Sequence, residues 1–192
     1  MKFIKNTSWE EVFEGWRGRE ASDPGWIECA TKVKGWPDWE SWRKFSAEQI
    51  QADKREWQIF KIEDVMKEIP NMLVGPFTGW QSRHENINNF TFADLLENPE
   101  QAEFWRNHAK IKSLITNFPS PTEFIGLIRE DVGKIVCLEG HHRATAVALA
   151  RKEGVKIEFS KQPTIALARL AVDELGILDE VLKRGSANQA SS

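Results

Sequence analysis

Hydrophobic and polar positions along the chain alternate between strand and helix periodicity. Short apolar runs bounded by turn residues are typical of buried strands of about four to eight residues. Such runs predict strands over 56–62, 123–129, 134–138, 155–159 and 164–170, the last with the start of a helix as its alternative. The second and third runs flank a turn and are expected to pair as a hairpin.

Helices are predicted from capping signals and from apolar stripes. Ser8 and Glu11 have the spacing of a capping box, and the apolar positions that follow repeat at helical intervals, so a helix is expected over 9–16, ending at Gly18. A second helix is expected over 98–117, because it opens with an Asn-Pro pair and stops before two prolines. Further helices are predicted from 38, over 46–55, from 63 to 69, from 141 to Gly154 and over 172–183, with loops at 18–37 and 72–89.

Tryptophan is concentrated at the beginning of the chain, where most of the nine residues of this type lie before position 58, and tyrosine is absent. We therefore expect a Trp-rich helical extension over 1–55 packed on a main domain over 56–185, with 186–192 as a disordered tail. Because tryptophans bury large areas, packing is preferred to the alternative of an exposed platform for a base, a sugar or a partner protein.

Composition excludes several classes of protein. With 192 residues, of which 41% are apolar, the chain has enough material for one globular domain with extensions. The net charge is -3, whereas proteins that bind the nucleic-acid backbone are usually basic. Duplex DNA is therefore not expected as a main partner. Cys29 and Cys137 lie far apart, and neither a membrane-length apolar run nor a signal-peptide pattern is present. These features predict a cytoplasmic protein without a membrane partner.

The segment 135–150 combines a buried strand, a single glycine and a helix that opens with two histidines and an arginine. Backbone N–H groups in the first turn of a helix have no intrahelical partner, and the helix dipole adds partial positive charge there. Gly140 has no Cβ, so it can take a tight turn and leave room for an oxygen atom. The pattern predicts a phosphate site, with a merely solvated helix cap as the alternative.

The succession of strand, Glu-Gly-His-His-Arg at 139–143 and alanine-rich helix resembles the nucleotide-phosphate motif of the ParB N-terminal and sulfiredoxin-like superfamily. The resemblance covers about residues 57–170 in the order of elements. It implies an α+β fold in which a small mixed sheet is flanked by helices, and it implies a bound nucleotide (ATP, ADP or CTP), with Mg²⁺ as a candidate companion. The residues expected to bind the cofactor are Gly140, His141, His142, Arg143 and Thr145.

Within that superfamily the chain looks most like the ParB-like free serine kinases. Sulfiredoxins have a catalytic cysteine directly after the motif glycine, and His141 occupies that position here, which disfavours sulfinic-acid repair. The resemblance to the kinases implies transfer of a phosphoryl group from a nucleotide to a small hydroxyl metabolite, so the expected partners are a nucleotide and a small-molecule substrate. A nucleotide-sensing or protein-binding module without chemistry is the alternative.

The general base for such a transfer has several candidates. Glu139 lies beside the predicted phosphate turn, where it would hold Mg²⁺ or accept a proton, and a salt bridge to Arg143 is its alternative role. His84 and Glu85, in the long polar loop, are the rival bases. A metal hydrolase built on the adjacent histidines ranks lower and no metal site is assigned, because neighbouring residues on a helix diverge by about 100 degrees.

Overall fold

Five strands form one mixed sheet in the computed structural model, which describes residues 1–185: β1 (Lys2–Thr7), β2 (Trp57–Lys61), β3 (Glu123–Arg129), β4 (Lys134–Glu139) and β5 (Thr164–Leu170). The strand order is β1-β2-β5-β3-β4. Strand β3 runs parallel to β5, and the other neighbouring pairs are antiparallel. The α+β class and the β3–β4 hairpin expected from the sequence are confirmed.

Helices flank this sheet. Those of residues 1–185 are α1 (Trp9–Glu20), α2 (Pro24–Glu28), α3 (Trp39–Gln49), α4 (Val65–Glu68), α5 (Thr78–Gln81), α6 (Phe92–Leu95), α7 (Pro99–Asn107), α8 (Ala109–Thr116), α9 (His141–Glu153) and α10 (Gly176–Gly185). None of the described helices is long and apolar enough to cross a membrane. The predicted tail over 186–192 lies outside the described residues.

Both faces of the sheet are covered, because alternate residues of a strand point to opposite sides. On one face, Phe124 and Ile165 contribute to a core with the buried side of α9. On the other face, Ile125 and Ala166 contribute to a core with the tryptophans of the N-terminal region. The sheet therefore lies between two helical layers, and the N-terminal region supplies much of one of them.

The sequence predicts a helical N-terminal region, but the first element of this region is a strand. β1 pairs antiparallel with β2 at the edge of the sheet, with Thr7 opposite Trp57. Its residues are mostly exposed, so they lack the alternating apolar pattern that identifies a half-buried strand. In the helices that follow, Trp16, Trp39 and Trp42 are buried in the second core.

The segment 18–37, expected to be a loop, is largely helical. α1 continues past Gly18 to Glu20, and the Asp23 carboxylate then caps α2 by accepting from the N–H groups of Gly25 and Trp26. A π-helical turn over Cys29–Val33 follows directly. The two helices expected between 38 and 55 are one helix, α3, followed by a short 3-10 turn over Ala52–Lys54.

The helix expected over 98–117 is broken at His108, whose backbone is extended (φ -70°, ψ 120°). In an unbroken helix, Trp105 and Ile111 would point about 120 degrees apart, since each residue turns the helix by about 100 degrees. The break lets both enter the same core, and it leaves Phe104 41% exposed instead of in the expected apolar stripe.

The strand expected over 155–159 does not form, although Ile157 is buried in the core. The next segment does form a strand, β5, in agreement with the preferred prediction. A short 3-10 turn over Val172–Glu174 then leads into α10, so the predicted C-terminal helix begins slightly later than expected.

Candidate functional site

Gly140 joins β4 to α9 in a conformation that requires glycine. Its φ is +106°, in the left-handed region. A Cβ at this position would also lie 2.4 Å from Cδ1 of Phe124, a buried residue on the adjacent strand β3. The tight turn that the sequence predicts is therefore enforced by both backbone and packing.

The N-terminus of α9 presents unpaired amides. The first intrahelical bond runs from the Ala144 N–H to the Gly140 carbonyl oxygen at 2.8 Å, so the three preceding amides have no intrahelical acceptor. No side chain of residues 1–185 caps this end of the helix. Its partial positive charge is therefore available to an anion.

This end of α9 opens into a cavity of about 510 Å³, whose lining includes Gly140, His141, His142 and Arg143. A volume of this size is within the range of small-molecule sites, which is about 300–1,000 Å³. Four of the five residues expected to bind a cofactor therefore lie around one cavity.

Another part of the cavity lining comes from the N-terminal region, which the sequence did not connect with the site. Trp26 and Trp42 line it with their indole rings, and Glu20 and Arg43 lie beside them. Both charged residues follow a buried tryptophan by four positions, Trp16 and Trp39 respectively, so each lies on an apolar helix face. A charged residue on an otherwise apolar helix face is the sequence signal by which Glu20 and Arg43 could be identified.

The cavity is rich in positive charge, although the chain as a whole is acidic. Among the residues that the structure describes, two carboxylates line it, those of Glu20 and Glu139. The lining cations are Arg19, Lys34, Arg43, Lys110 and Arg143. Among the ion pairs of residues 1–185, none involves Lys110, whose exposed ammonium lies 4.6 Å from the Trp26 ring centroid. The local field therefore favours an anion.

Arg143 and Glu139 form an ion pair within the turn. The Arg143 guanidinium donates to both Glu139 carboxylate oxygens and to the Thr122 hydroxyl. Its carbon also lies 4.9 Å from the centroid of the Phe124 ring. The salt bridge that the sequence allowed for Glu139 is thus present, and a phosphate would have to share Arg143 with this carboxylate.

His141 is buried and holds the neighbouring loop. Its Nε2 accepts from the Gly75 N–H at 3.1 Å, and Phe77 and Trp80 contact its ring. Burial, with a smaller contribution from the adjacent His142, lowers the pKa of His141 to about 3. It is therefore a neutral residue that organises the cavity wall, and it brings no positive charge to a ligand.

His142 is half-buried between aromatic side chains. Its ring lies edge-on to Trp80 at 4.8 Å and 5.5 Å from the His108 ring. Burial, then the nearby Lys110, lowers the pKa of His142 to about 3. At neutral pH it offers a neutral imidazole, so charge at the motif comes from Arg143 and the helix terminus.

Thr145, His84 and Glu85 do not reach the cavity, contrary to their expected roles. Thr145 is fully buried, and its hydroxyl donates to the His141 carbonyl oxygen and accepts from the Trp80 indole N–H. His84 stacks on Phe90 with a centroid separation of 4.3 Å. Neither His84 nor the exposed Glu85 contributes to the cavity lining. Of the three predicted bases, the structure brings only Glu139 to the site.

A buried ion pair from the N-terminal region also lines the cavity. Arg43 Nη2 donates to Glu20 Oε2 at 3.0 Å, and the Trp39 indole N–H donates to the same oxygen at 3.1 Å. The guanidinium lies 4.0 Å from the Trp42 ring centroid and 4.9 Å from that of Trp26. Burial raises the pKa of Glu20, while Arg43 opposes that shift.

Within residues 1–185, no three histidine, cysteine or acidic side chains are close enough together to hold a metal ion. The adjacent histidines at the start of α9 contact different neighbours, as their divergence on the helix predicts. The two cavity carboxylates are each paired with an arginine, so they form no ready-made Mg²⁺ site.

No family model, curated protein or solved structure matches this chain.

Proposed function

We propose that the chain binds a nucleotide, with its phosphates at the N-terminus of α9. The observation that carries the proposal is the positively charged cavity at an uncapped helix terminus, in a protein whose net charge is negative. Anions are favoured where unpaired amides and cationic side chains converge. The motif's resemblance to nucleotide-binding ParB-like proteins adds to this support.

The shape of the cavity suits a ligand with an anionic end and a flat apolar part. The phosphate end would contact the Gly140 turn and Arg143, and Lys110 would approach from α8. Trp26 and Trp42 add aromatic side chains to the cavity lining. Aromatic side chains offer apolar area for a planar ring, which distinguishes a nucleotide from free phosphate.

Phosphoryl transfer to a small hydroxyl metabolite is the enzymatic form of this proposal. The acceptor oxygen would bond to the terminal phosphorus while the bond to the leaving nucleoside diphosphate breaks, and the hydroxyl proton would go to a carboxylate. Glu139 is the expected base that lines the cavity. Its two carboxylate oxygens already accept hydrogen bonds from Arg143, which favours the second candidate, a nucleotide-binding module without chemistry.

Calorimetry with ATP, ADP and CTP, with and without Mg²⁺, tests the binding proposal. We expect Arg143→Ala to weaken binding by about 1.5–3 kcal/mol, the worth of a charge-assisted hydrogen bond. Arg169→Ala is the matched control, because Arg169 is exposed, pairs with Glu130 and lies outside the cavity. Absence of binding at millimolar nucleotide would overturn the proposal.

Glu139→Gln separates a ligand-binding role from a structural one. Removing the carboxylate releases Arg143 and removes repulsion, so nucleotide affinity should rise even though an ion pair is lost. If the Arg143–Glu139 ion pair has only a structural role, Arg143→Ala and Glu139→Gln should both lower the free energy of unfolding. In that case the two variants should not change nucleotide affinity in opposite directions. Phosphorus NMR of nucleotide mixed with small hydroxyl compounds then distinguishes transfer from binding alone.

A further inference from the structure

The ion pair Glu20–Arg43 has hydrogen-bonding capacity that the protein leaves unused. Both partners are more than nine-tenths buried by relative residue exposure and both line the cavity. The hydrogen bonds that Glu20 accepts from Trp39 and Arg43 both end on Oε2, and the Trp16 indole N–H also lies near this carboxyl group. The buried Nε of Arg43 has no hydrogen-bond partner among the described residues.

Unused polar atoms in such a place are costly. Buried side-chain donors and acceptors are almost always satisfied by the protein, by water or by a ligand. The buried indole N–H of Trp16 lies close enough to Glu20 to lower the pKa of its carboxyl group, although its geometry falls short of a regular hydrogen bond. Two buried N–H groups near Glu20, Arg43 Nε and Trp16 Nε1, therefore lack a regular hydrogen bond among the described residues.

The unused groups form an acceptor beside a donor. Glu20 Oε1 can accept a hydrogen bond, and Arg43, which commits only Nη2 to its ion pair, can donate one. The matching ligand edge has an N–H donor next to an acceptor. An exocyclic amine beside an unprotonated ring nitrogen, as in adenine and cytosine, has this arrangement. Uracil and hypoxanthine present a carbonyl beside a ring N–H, which is the reverse order.

We propose that Glu20 and Arg43 form a recognition site for the amino group of a nucleotide base. This inference rests on the proposed nucleotide binding and adds that the N-terminal region recognises the base of the nucleotide. The rings of Trp42 and Trp26 pack against Arg43, and a mismatched carbonyl is costly in such apolar surroundings. The Trp-rich region then determines selectivity, whereas α9 binds the phosphates.

The test compares nucleotides that differ mainly in the amino group. The wild-type chain should bind ATP more tightly than ITP, and CTP more tightly than UTP, by about tenfold or more, since a binding site that hydrogen-bonds a ligand group discriminates strongly against its absence. Equal affinities within both pairs would overturn base recognition and leave nucleotide binding intact. Absence of binding by all four nucleotides would overturn both proposals.

Glu20→Gln assigns the discrimination to this pair. The amide can donate as well as accept, so the preference for the amino nucleotides should fall close to unity. Glu174→Gln is the matched control, because Glu174 also pairs with a mostly buried arginine, Arg55, but lies outside the cavity. A preference that survives Glu20→Gln unchanged would contradict the assignment. If that variant fails to fold, the wild-type ratios still decide the proposal.

Discussion

The Nε2 atom of His141 accepts a hydrogen bond from the backbone N–H of Gly75 at 3.1 Å, inside the protein. The bond joins the first residue of α9 to the loop that follows α4. Gly75 is as constrained as its partner, because a Cβ there would lie 1.8 Å from the Cys137 carbonyl oxygen. The cavity wall around the motif therefore depends on a backbone contact that only glycine permits.

His141→Phe should destabilise the fold by about 1–3 kcal/mol, because the Gly75 N–H would be buried without an acceptor. His141→Gln should lose less, since its amide oxygen can replace Nε2. Urea unfolding measures both. His84→Phe is the control: His84 Nδ1 accepts a similar bond from the Asn86 N–H at 3.1 Å, but at an exposed position where water can replace it. Equal losses at the two histidines would contradict this account.

Stability should fall as the pH drops below about 6.5, the ordinary pKa of histidine. Burial lowers the pKa of both His141 and His142 to about 3, so between these values the unfolded chain binds more protons than the folded chain. The free energy of unfolding then rises with pH through this window and levels off above it. Burial raises the pKa of Glu20, so above the ordinary pKa of glutamate this group makes the free energy of unfolding fall as the pH rises.

A comparison of variants isolates the histidine contribution to this pH dependence. The difference in unfolding free energy between about pH 7.5 and about pH 5, on either side of the histidine pKa, should be smaller in His141→Gln than in the wild-type chain. Both chains share Glu20 and the surface carboxylates, so those contributions cancel. An unchanged difference would show that His141 titrates normally in the folded protein.

Gly140→Ala should be much more damaging than Gly154→Ala, although both glycines have positive φ. An alanine at 154 has open space around its Cβ, so only the backbone strain of about 1–2 kcal/mol is expected. An alanine at 140 adds a collision with Phe124, for about 2–6 kcal/mol in total. Thermal denaturation of the two variants tests this ranking. Equal melting temperatures would mean that Phe124 moves aside without cost.

The central sheet could be predicted from the sequence because its strands have strong local signals. The runs that form β3 and β4 flank a turn, and the motif helix has its closing glycine at 154. The edge strand β1 was missed because its exposed residues carry no alternation. The break at His108 follows from where Trp105 and Ile111 must pack, which is information from the tertiary structure.

The site was only half predictable for a similar reason. The α9 terminus is local in sequence, so its glycine and its cationic turn could be identified directly. The part of the lining that the N-terminal region contributes comes from residues about a hundred positions earlier in the chain, and Glu20 and Arg43 are distant from each other as well. His84 and Glu85 had suitable chemistry, but the loop directs them away from the cavity. Residue type alone does not specify which side chains the fold brings together.

Lys110→Ala should weaken nucleotide binding by about two- to fivefold, the range of an exposed charge contact of roughly 0.4–1 kcal/mol. Lys110 lines the cavity at the Trp26 ring and forms no ion pair among the described residues, so its charge remains available to phosphate. Lys112→Ala is the matched control, because Lys112 is exposed on the same helix and lies outside the cavity.

Salt separates this charge effect from a packing effect. Raising the ionic strength should shrink the difference in affinity between the wild-type chain and Lys110→Ala, because an exposed charge is screened. Loss of the Lys110–Trp26 contact alone would instead lower the melting temperature and leave the affinity, and its dependence on salt, the same as in Lys112→Ala. That second pattern would place the phosphates away from α8 and confine the anion site to the turn at Gly140.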